Sequence, residues 1–581
     1  MSSILVEKNV SAVMRDGTLL RADVYRPAAG GCYPVLIQRT PYNKELLALT
    51  ALTLDPLRAV AAGYVVVIQD VRARWASEGG VFYFYRDEFD DGHDTVAWAA
   101  AQAWSNGEVG IYGLSYMGGT SWQAAATAPP ALRAISPTTA PCDFWRDHLW
   151  RGGAFNWGLF VTWTLQAIGP AALLRGKQGQ PDLWPAFLQL VEDCDEYEAR
   201  VRHLPLNAFP PARPGDERFL PFFFEALQHP SPDAWTAALL PADRHAEVQV
   251  PALIIAGWHD LLLTSDLEHF ARMKAAAGTP EARRATRIVI GPWAHGMFQS
   301  TVGDLDFGLR ASGQLLDLRE DLSDLQLRWF DRWLKAKANG IDAEAPVKIF
   351  VQGLNRWRDE QEWPLARTRY TPLYLRSGAA LSFEAPGEEV PDDYVYDPHD
   401  PCPTCGGPLL MPATYRRGPV SQAAILKRAD VLRYTTEPLT EDMELTGPVS
   451  AVLHAASSAP DTDWIIKLCD VHPDGESYNI CDGVLRARYR ESLTAPSLIE
   501  PGAVLRYVIT LAPTSIRLRV GHRLQVLVTS SDFPRYDRNP NTGELGVSAT
   551  LLQPAHQQIF HDAEHPSHLI LPLIPTTSPT P

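Results

Sequence analysis

The stretch Ser105–Pro130, SNGEVGIYGLSYMGGTSWQAAATAPP, decides how the rest of the chain is read. A β-branched and aliphatic run stops at Gly113, Ser115 follows two residues later, and Gly118, Gly119 and an alanine-rich stretch come next. A strand passing through a sharp turn into a helix has this pattern. Small residues flank a turning serine because a Cβ there would collide with the backbone, and the hydroxyl then stands clear at the top of the sheet. The pattern admits two readings. Ser115 is a nucleophile held on the turn, or it merely caps the helix of a tight strand–helix connection. The usual spacing is G-x-S-x-G, whereas here Met117 occupies the second glycine position and Gly118 arrives one residue later.

Around this stretch the first 145 residues alternate strand and helix signals. VSAVMRDGTLLRADVYRP carries an Asp16-Gly17 turn between alternating segments and predicts a hairpin. Tyr33–Tyr42 and Val65–Ile68 are short apolar runs, and Asp90–Trp104 has the pattern of a capped amphipathic helix. Apolar strands alternating with helices predict a parallel sheet covered on both faces. From about Phe144 to Ala246 aromatics become dense and proline breaks a mostly helical pattern, so the segment reads as an insertion. The alternation resumes with VPALIIAGWHD (Val250–Asp260), TRIVIGPWAHG (Thr286–Gly296) and a long charged helix, LREDLSDLQLRWFDRWLKAK. Beyond Pro346 short β-type runs dominate, VKIFVQG, TPLYLRS, VSAVLHAAS, DWIIKLCDVH, VLRYVITL and HRLQVLVTSS, which predict an antiparallel sandwich such as a jelly roll. The PTTSPTP tail is expected to be disordered.

Bulk properties narrow the function class. The 581 residues exceed what one core can organise, so roughly two to four domains are expected. The net charge is −16 and no basic stripe stands out, which argues against nucleic acid as a partner. No apolar run of about 18 residues predicts a membrane span, and the N-terminus lacks the layout of a signal peptide. Seven cysteines read as free thiols of a cytoplasmic protein. Cys402 and Cys405 form a C-x-x-C, but a zinc site would want a second pair of ligands, so loop structure is the expected role.

A serine hydroxyl needs a base within hydrogen-bond reach and a carboxylate to orient that base. Asp260 lies just past the end of ALIIAGWH, and His295 lies in the loop after RIVIGPWA. Open parallel sheets place their sites at the C-terminal strand ends, and the order Ser, acid, His is that of α/β-hydrolases. His259 competes with its neighbour Asp260 for a role, Asp260 could cap a helix, and His295 could serve a loop. An oxyanion also needs donors. The Tyr116 backbone N–H is one, and the loop QRTPYNK offers the phenol of Tyr42 as a second.

RTPYNK, QDVRARWASEG, WSNGEVGIYGLSYMGG, GWHD and GPWAHG together resemble the cocaine-esterase-type acyl esterases, which belong with the X-prolyl dipeptidyl peptidases and the α-amino-acid ester hydrolases. FVQGLNRWRDEQEWPL, YDPHDPCPTCGG, DTDWIIKLCDVHPDG, SSDFPRYDRNPNTG and EHPSHLILP extend the resemblance over nearly the whole chain. It implies an α/β-hydrolase catalytic domain (1–145 and 247–345), a helical lid or insertion (146–246) and a C-terminal jelly-roll sandwich (346–575). It also implies Ser115 as nucleophile, His295 as general base, Asp260 as its orienter, and Tyr42 with the Tyr116 amide as oxyanion donors. The family's G-x-S-Y-x-G accommodates Met117. Trp150, Trp163, Leu410 and Met411 match acyl-pocket positions. The ester hydrolases of α-amino acids place carboxylates shortly after the aspartate to hold an ammonium. Here Leu261, Leu262 and Leu263 stand instead, an apolar wall suited to a neutral acyl group. The expectation is a serine esterase without cofactor or metal, acting on a small ester with a neutral hydrophobic or aromatic acyl group, with a possible homodimer. An amidase or X-prolyl dipeptidyl peptidase on the same scaffold stays open, as does a non-catalytic sugar-binding protein.

Overall fold

A computed structural model describes residues 3–176, 184–212, 220–240 and 242–575. Most of the PTTSPTP tail, from residue 576, lies outside the described residues.

Ten strands form the first sheet: β1 (Ile4–Val13), β2 (Leu19–Pro27), β3 (Tyr33–Thr40), β4 (Val65–Asp70), β5 (Ser105–Leu114), β6 (Leu132–Thr138), β7 (Leu253–His259), β8 (Arg287–Ala294), β9 (Val347–Val351) and β10 (Arg356–Glu360). Their spatial order is β1-β2-β4-β3-β5-β6-β7-β8-β9-β10. Pairings from β4 through β9 are parallel. β1 and β2 form the hairpin marked by Asp16-Gly17, where Gly17 takes a φ of 85°. Every residue of β4 and β7 is buried, because helices cover both faces and leave no polar side for alternation to mark. Helices α1 (Glu88–Ala100), α2 (Tyr116–Ala126) and α3 (Leu263–Ala276) pack on one face through Val96, Trp122 and Phe270. Helix α4 (Leu322–Leu334) covers the other with Leu325, Trp329 and Phe330, its start fixed by Asp321, whose carboxylate accepts the Asp324 N–H. Helix α1 starts two residues before the expected Asp90 and has no side-chain cap.

One expectation is corrected here. From sequence the all-β portion begins at residue 346, but β9 and β10 extend the first sheet. β9 pairs parallel with β8, Ile288 opposite Val347, and β10 folds back on it. A short apolar run reports that a strand is buried, not which sheet supplies its partner. One helical stretch, Trp157–Leu174, is long and apolar enough to cross a bilayer by length and composition, but 72% of it is buried inside the fold. Thr162, Thr164, Gln166 and Pro170 interrupt its apolar pattern, and the stretch is a core helix of the insertion.

Among the described residues between β6 and β7 the chain is mainly helical, with one two-strand hairpin at Trp150–Arg151 and Ala154–Phe155. From Arg369 to Ile574 the regular structure is almost entirely β, centred on the antiparallel pair Met443–Ser457 and Leu505–Leu518, with Trp464, Leu468, Tyr507 and Val526 in its core. This all-β part is fastened to the rest by backbone. Gln352 N–H donates to Ser515 (3.0 Å) and Gly158 N–H to Arg535 (3.1 Å). The Asp537 carboxylate accepts the Phe155 N–H at 2.7 Å.

Candidate active site

Ser115 joins β5 to α2 with φ 61° and ψ −121°, a conformation that costs a non-glycine residue about 1–3 kcal/mol. The turn is tight enough that a Cβ on Gly113 would lie 2.5 Å from Met117 Cβ, and one on Gly118 would lie 2.8 Å from Ala140 Cβ. Met117 fits because its side chain goes into the core beneath the sheet. Ser115 does not cap α2 through its side chain. Its Oγ lies 2.9 Å from His295 Nε2.

His295 reaches that position through a break in register. β8 pairs regularly with β7 as far as Gly291–Gly257, then slips so that Ala294 faces His259. The irregularity turns the following residue across the strand ends. Gly257 permits it, since a Cβ there would lie 2.4 Å from the Trp293 carbonyl oxygen. His295 Nδ1 then sits 3.1 and 3.0 Å from the two oxygens of Asp260. Asp260 Oδ1 also accepts the Leu262 N–H at 2.8 Å, so the carboxylate is held from both sides. Both His295 and Asp260 are buried. His259 points elsewhere: its Nε2 lies 2.7 Å from Gln352 Oε1, and burial pushes its pKa down to about 4.

Tyr42 accepts a hydrogen bond from Trp163 Nε1 at 2.9 Å, and its hydroxyl is close enough to Ser115 to feel it. Because the indole N–H occupies a lone pair, the phenol proton is free to point at the serine. Burial pushes the Tyr42 pKa up to about 12, which keeps that proton in place. Tyr116 opens α2, so its backbone N–H has no acceptor inside the helix. Its side chain is pinned: the hydroxyl donates to Glu88 at 3.0 Å and accepts the Tyr85 N–H at 3.0 Å, and the ring stacks on Tyr85 at 4.1 Å.

Trp150, Trp163, Leu262 and Met411 join Tyr116 in one buried apolar cluster, with Leu410 and Tyr42 packed against it. Within it Trp163, which bonds Tyr42, is stacked on Phe84 at 4.1 Å, in the π-helical turn Thr162–Ile168. Trp150 lies deeper, its ring 4.8 Å from Phe155. Leu410 and Met411 come from the all-β part and line a narrow cleft with Leu261, Arg151 and Asn156. Leu263 turns instead into the core under α3.

Three residues here carry no sequence signal. Arg417, from the all-β part, donates to the His295 carbonyl at 2.7 Å and so holds that loop. Glu88 anchors Tyr116 while paired with Arg39 at 2.6 Å, and burial raises its carboxyl pKa. His148 is buried beside Trp163. The seven cysteines are all free, Cys402 and Cys405 included, and Cys402 packs with Cys469, Ile425 and Leu527.

Residues 16–297 match the family model for X-Pro dipeptidyl-peptidase (S15 family), and residues 339–570 match the X-Pro dipeptidyl-peptidase C-terminal non-catalytic domain. The chain is 38% identical to the cocaine esterase of Rhodococcus sp. (strain MB1 Bresler), over 98% of each chain. Among solved structures it is similar to an aminopeptidase from a marine sediment archaeon, Thaumarchaeota archaeon, at 27% identity and TM-score 0.83, covering 98% of this chain and 97% of that one. It is also similar to an α-amino acid ester hydrolase, at 27% identity and TM-score 0.82, with the same coverage.

Proposed function

The chain belongs to the X-Pro dipeptidyl-peptidase (S15) family, and on that premise we propose that it is a serine esterase working through an acyl-enzyme on small esters with a neutral hydrophobic or aromatic acyl group. The observation that carries this is the unbroken hydrogen-bonded line from Asp260 through His295 to Ser115 at three strand ends. Ser115 Oγ attacks the ester carbonyl as His295 Nε2 takes its proton. Asp260 holds the imidazole by Nδ1–H and steadies the positive charge that forms. Tyr42 and the Tyr116 N–H receive the oxyanion. His295 returns the proton to the departing alcohol, then takes one from water, which hydrolyses the acyl-serine and frees the acid.

The sheet order is read as an α/β-hydrolase core, residues 146–246 as a lid, and the all-β part as a jelly roll that lends Leu410 and Met411 to the pocket. The free thiols support a reducing, cytoplasmic setting. A neutral acyl group is favoured because nearby carboxylates are engaged by the protein or disfavoured as anions by burial. Asp147 accepts the Cys142 and Asp143 N–H groups and pairs with Arg146, while Asp266 accepts the Ala140 N–H and burial pushes its carboxyl pKa well up. The second reading, a peptidase or amidase, draws on the aminopeptidase likeness. Comparing kcat/KM on a neutral aryl ester, its anilide and an X-Pro anilide with a free amine decides between them, with Ser115→Ala as the blank. Turnover of the ester alone supports the esterase, and preference for the X-Pro anilide overturns it.

A further inference from the structure

Two strands of the all-β part, Asp463–Val471 and Arg523–Thr529, run antiparallel with Asp470 opposite Leu524 and Val471 opposite Arg523. Continued one step past the strand ends, this register sets His472 against His522. Side chains two apart on a strand share a face, as do directly opposed ones, so Asp470 joins the two histidines at one corner. Turns fix the backbone of both rings. The His472 N–H donates to the Glu476 carbonyl at 2.8 Å, and the His522 N–H donates to that of Arg519 at 3.1 Å.

The Asp470 carboxylate lies between the rings. Its Oδ1 is 2.8 Å from His522 Nδ1, and its Oδ2 is 3.4 Å from His472 Nε2. The ring centroids are 4.6 Å apart, and ligand-capable atoms of all three residues lie within 4.8 Å of one another. Asp470 is buried and both histidines are half-buried. All three line a cleft of about 340 Å³, to which His259, Gln352 and Asp306 contribute from the first sheet and its loops. Two arginines share the cleft but are engaged: Arg517 pairs with Asp442 at 3.1 Å, and Arg519 donates to the Gly353 carbonyl at 2.9 Å.

We propose that Asp470, His472 and His522 form a binding site for a divalent transition metal of the zinc type, its remaining coordination positions open to the cleft. Two imidazoles and one carboxylate suit zinc, cobalt or nickel, whereas magnesium and calcium favour oxygen alone. An ion about 2.0–2.2 Å from each ligand needs those atoms roughly 3–4 Å apart, which small ring rotations supply. The ion takes the place of the protons that Asp470 shares with the two rings. None of the three residues belongs to the line from Asp260 to Ser115, so the site holds whether or not the chain is an esterase. A second cluster among the described residues, Cys142, His245 and His269, is as close but closed on itself. Both nitrogens of His269 are spent, on His245 at 2.7 Å and on the Pro141 carbonyl at 3.0 Å, and all three residues are buried.

The test is calorimetric titration of the chelator-stripped, full-length chain with zinc chloride, in the wild type, Asp470→Asn, His472→Ala, His522→Ala and Cys142→Ser. One Zn²⁺ per chain at micromolar affinity or tighter is expected. Each change at the three ligands should weaken binding about tenfold or more, and Cys142→Ser should leave it unchanged. Cobalt(II) reports the ligand type: nitrogen and oxygen ligands give weak visible bands, and a thiolate adds a strong near-ultraviolet one. Uptake only at millimolar zinc, binding that either histidine substitution leaves unchanged, or a thiolate band lost in Cys142→Ser would overturn the proposal. Melting curves of the metal-free variants separate lost binding from lost folding. Zinc should raise the Tm of the wild type and not that of His472→Ala. If His522→Ala does not fold, His472→Ala, at a half-buried turn, carries the test.

Discussion

Removing one oxygen, in Tyr42→Phe, isolates the oxyanion donor proposed for the loop after β3. The ring stays, edge-on to Tyr116 at 6.5 Å, and only the hydroxyl goes. Loss of one of two such donors costs roughly 10²–10³ in kcat, or about 2.7–4 kcal/mol of transition-state stabilisation. KM should move little, because the donor meets the oxyanion and not the ground-state carbonyl. The same change strands the Trp163 N–H, which then has no acceptor at 2.9 Å, at a cost of about 1–3 kcal/mol in stability. Trp163→Phe is the converse. Tyr42 keeps its hydroxyl but loses the bond that aims it, so kcat should fall about 2- to 10-fold. The double variant should be no slower than Tyr42→Phe alone and should regain part of its melting temperature, since neither partner is orphaned. Steady-state kinetics on a chromogenic aryl ester and thermal melts read all four corners of the cycle. The reasoning fails if Tyr42→Phe changes kcat less than about threefold. It fails equally if Trp163→Phe is as damaging without the Tyr42 hydroxyl as with it. With the Tyr42 pKa near 12, the donor should persist to alkaline pH, and no loss of kcat between pH 7 and pH 10 should trace to it.

Asp260→Asn should lower kcat by roughly 10⁴-fold with the fold intact, because the amide stabilises the wrong tautomer of His295; a drop under about tenfold in the same kinetics would remove Asp260 from its role. Ser115→Gly should be inactive yet melt above Ser115→Ala, which keeps a Cβ at φ 61°, and the reverse order in a paired melt would deny the strain. His148, His245 and His259 are each pushed by burial down to about 4, against about 6.5 when unfolded. The unfolded chain thus binds more protons between those values, and stability should fall as pH drops from about 6.5 toward 4, by about 1.4 kcal/mol per pH unit for each histidine. Melting temperatures equal at pH 7 and pH 5 would contradict this, and His259→Gln should flatten the slope. Arg417→Gln frees the His295 loop from the all-β part and should lower kcat several-fold at constant KM; unchanged kcat would make that contact incidental.

What the sequence exposed and what it hid divide along physical lines. GIYGLSYMGG, GWHD and GPWAHG were legible because a strand–turn–helix elbow and two strand-end loops are local patterns. Their relative order then limits where three side chains can meet. The hairpin at Asp16-Gly17 was legible for the same reason. The partner of VKIFV was not, since hydrogen bonds to β8 come from residues about 60 positions earlier. The helix Trp157–Leu174 looked unlike a span because polar residues break its apolar run. Residues whose roles arise only from packing left no trace. Arg417 touches His295 from 122 positions away, and His148 acquires its character from the rings around it.

The central claim is that Ser115 is the one activated hydroxyl. It is tested most directly by treating the enzyme with an aryl organophosphonate and weighing the intact and digested protein. A single adduct per chain is expected, on the peptide containing Ser115, formed in step with loss of esterase activity and absent in Ser115→Ala. Labelling at another residue, or full inactivation with Ser115 unmodified, would contradict the account.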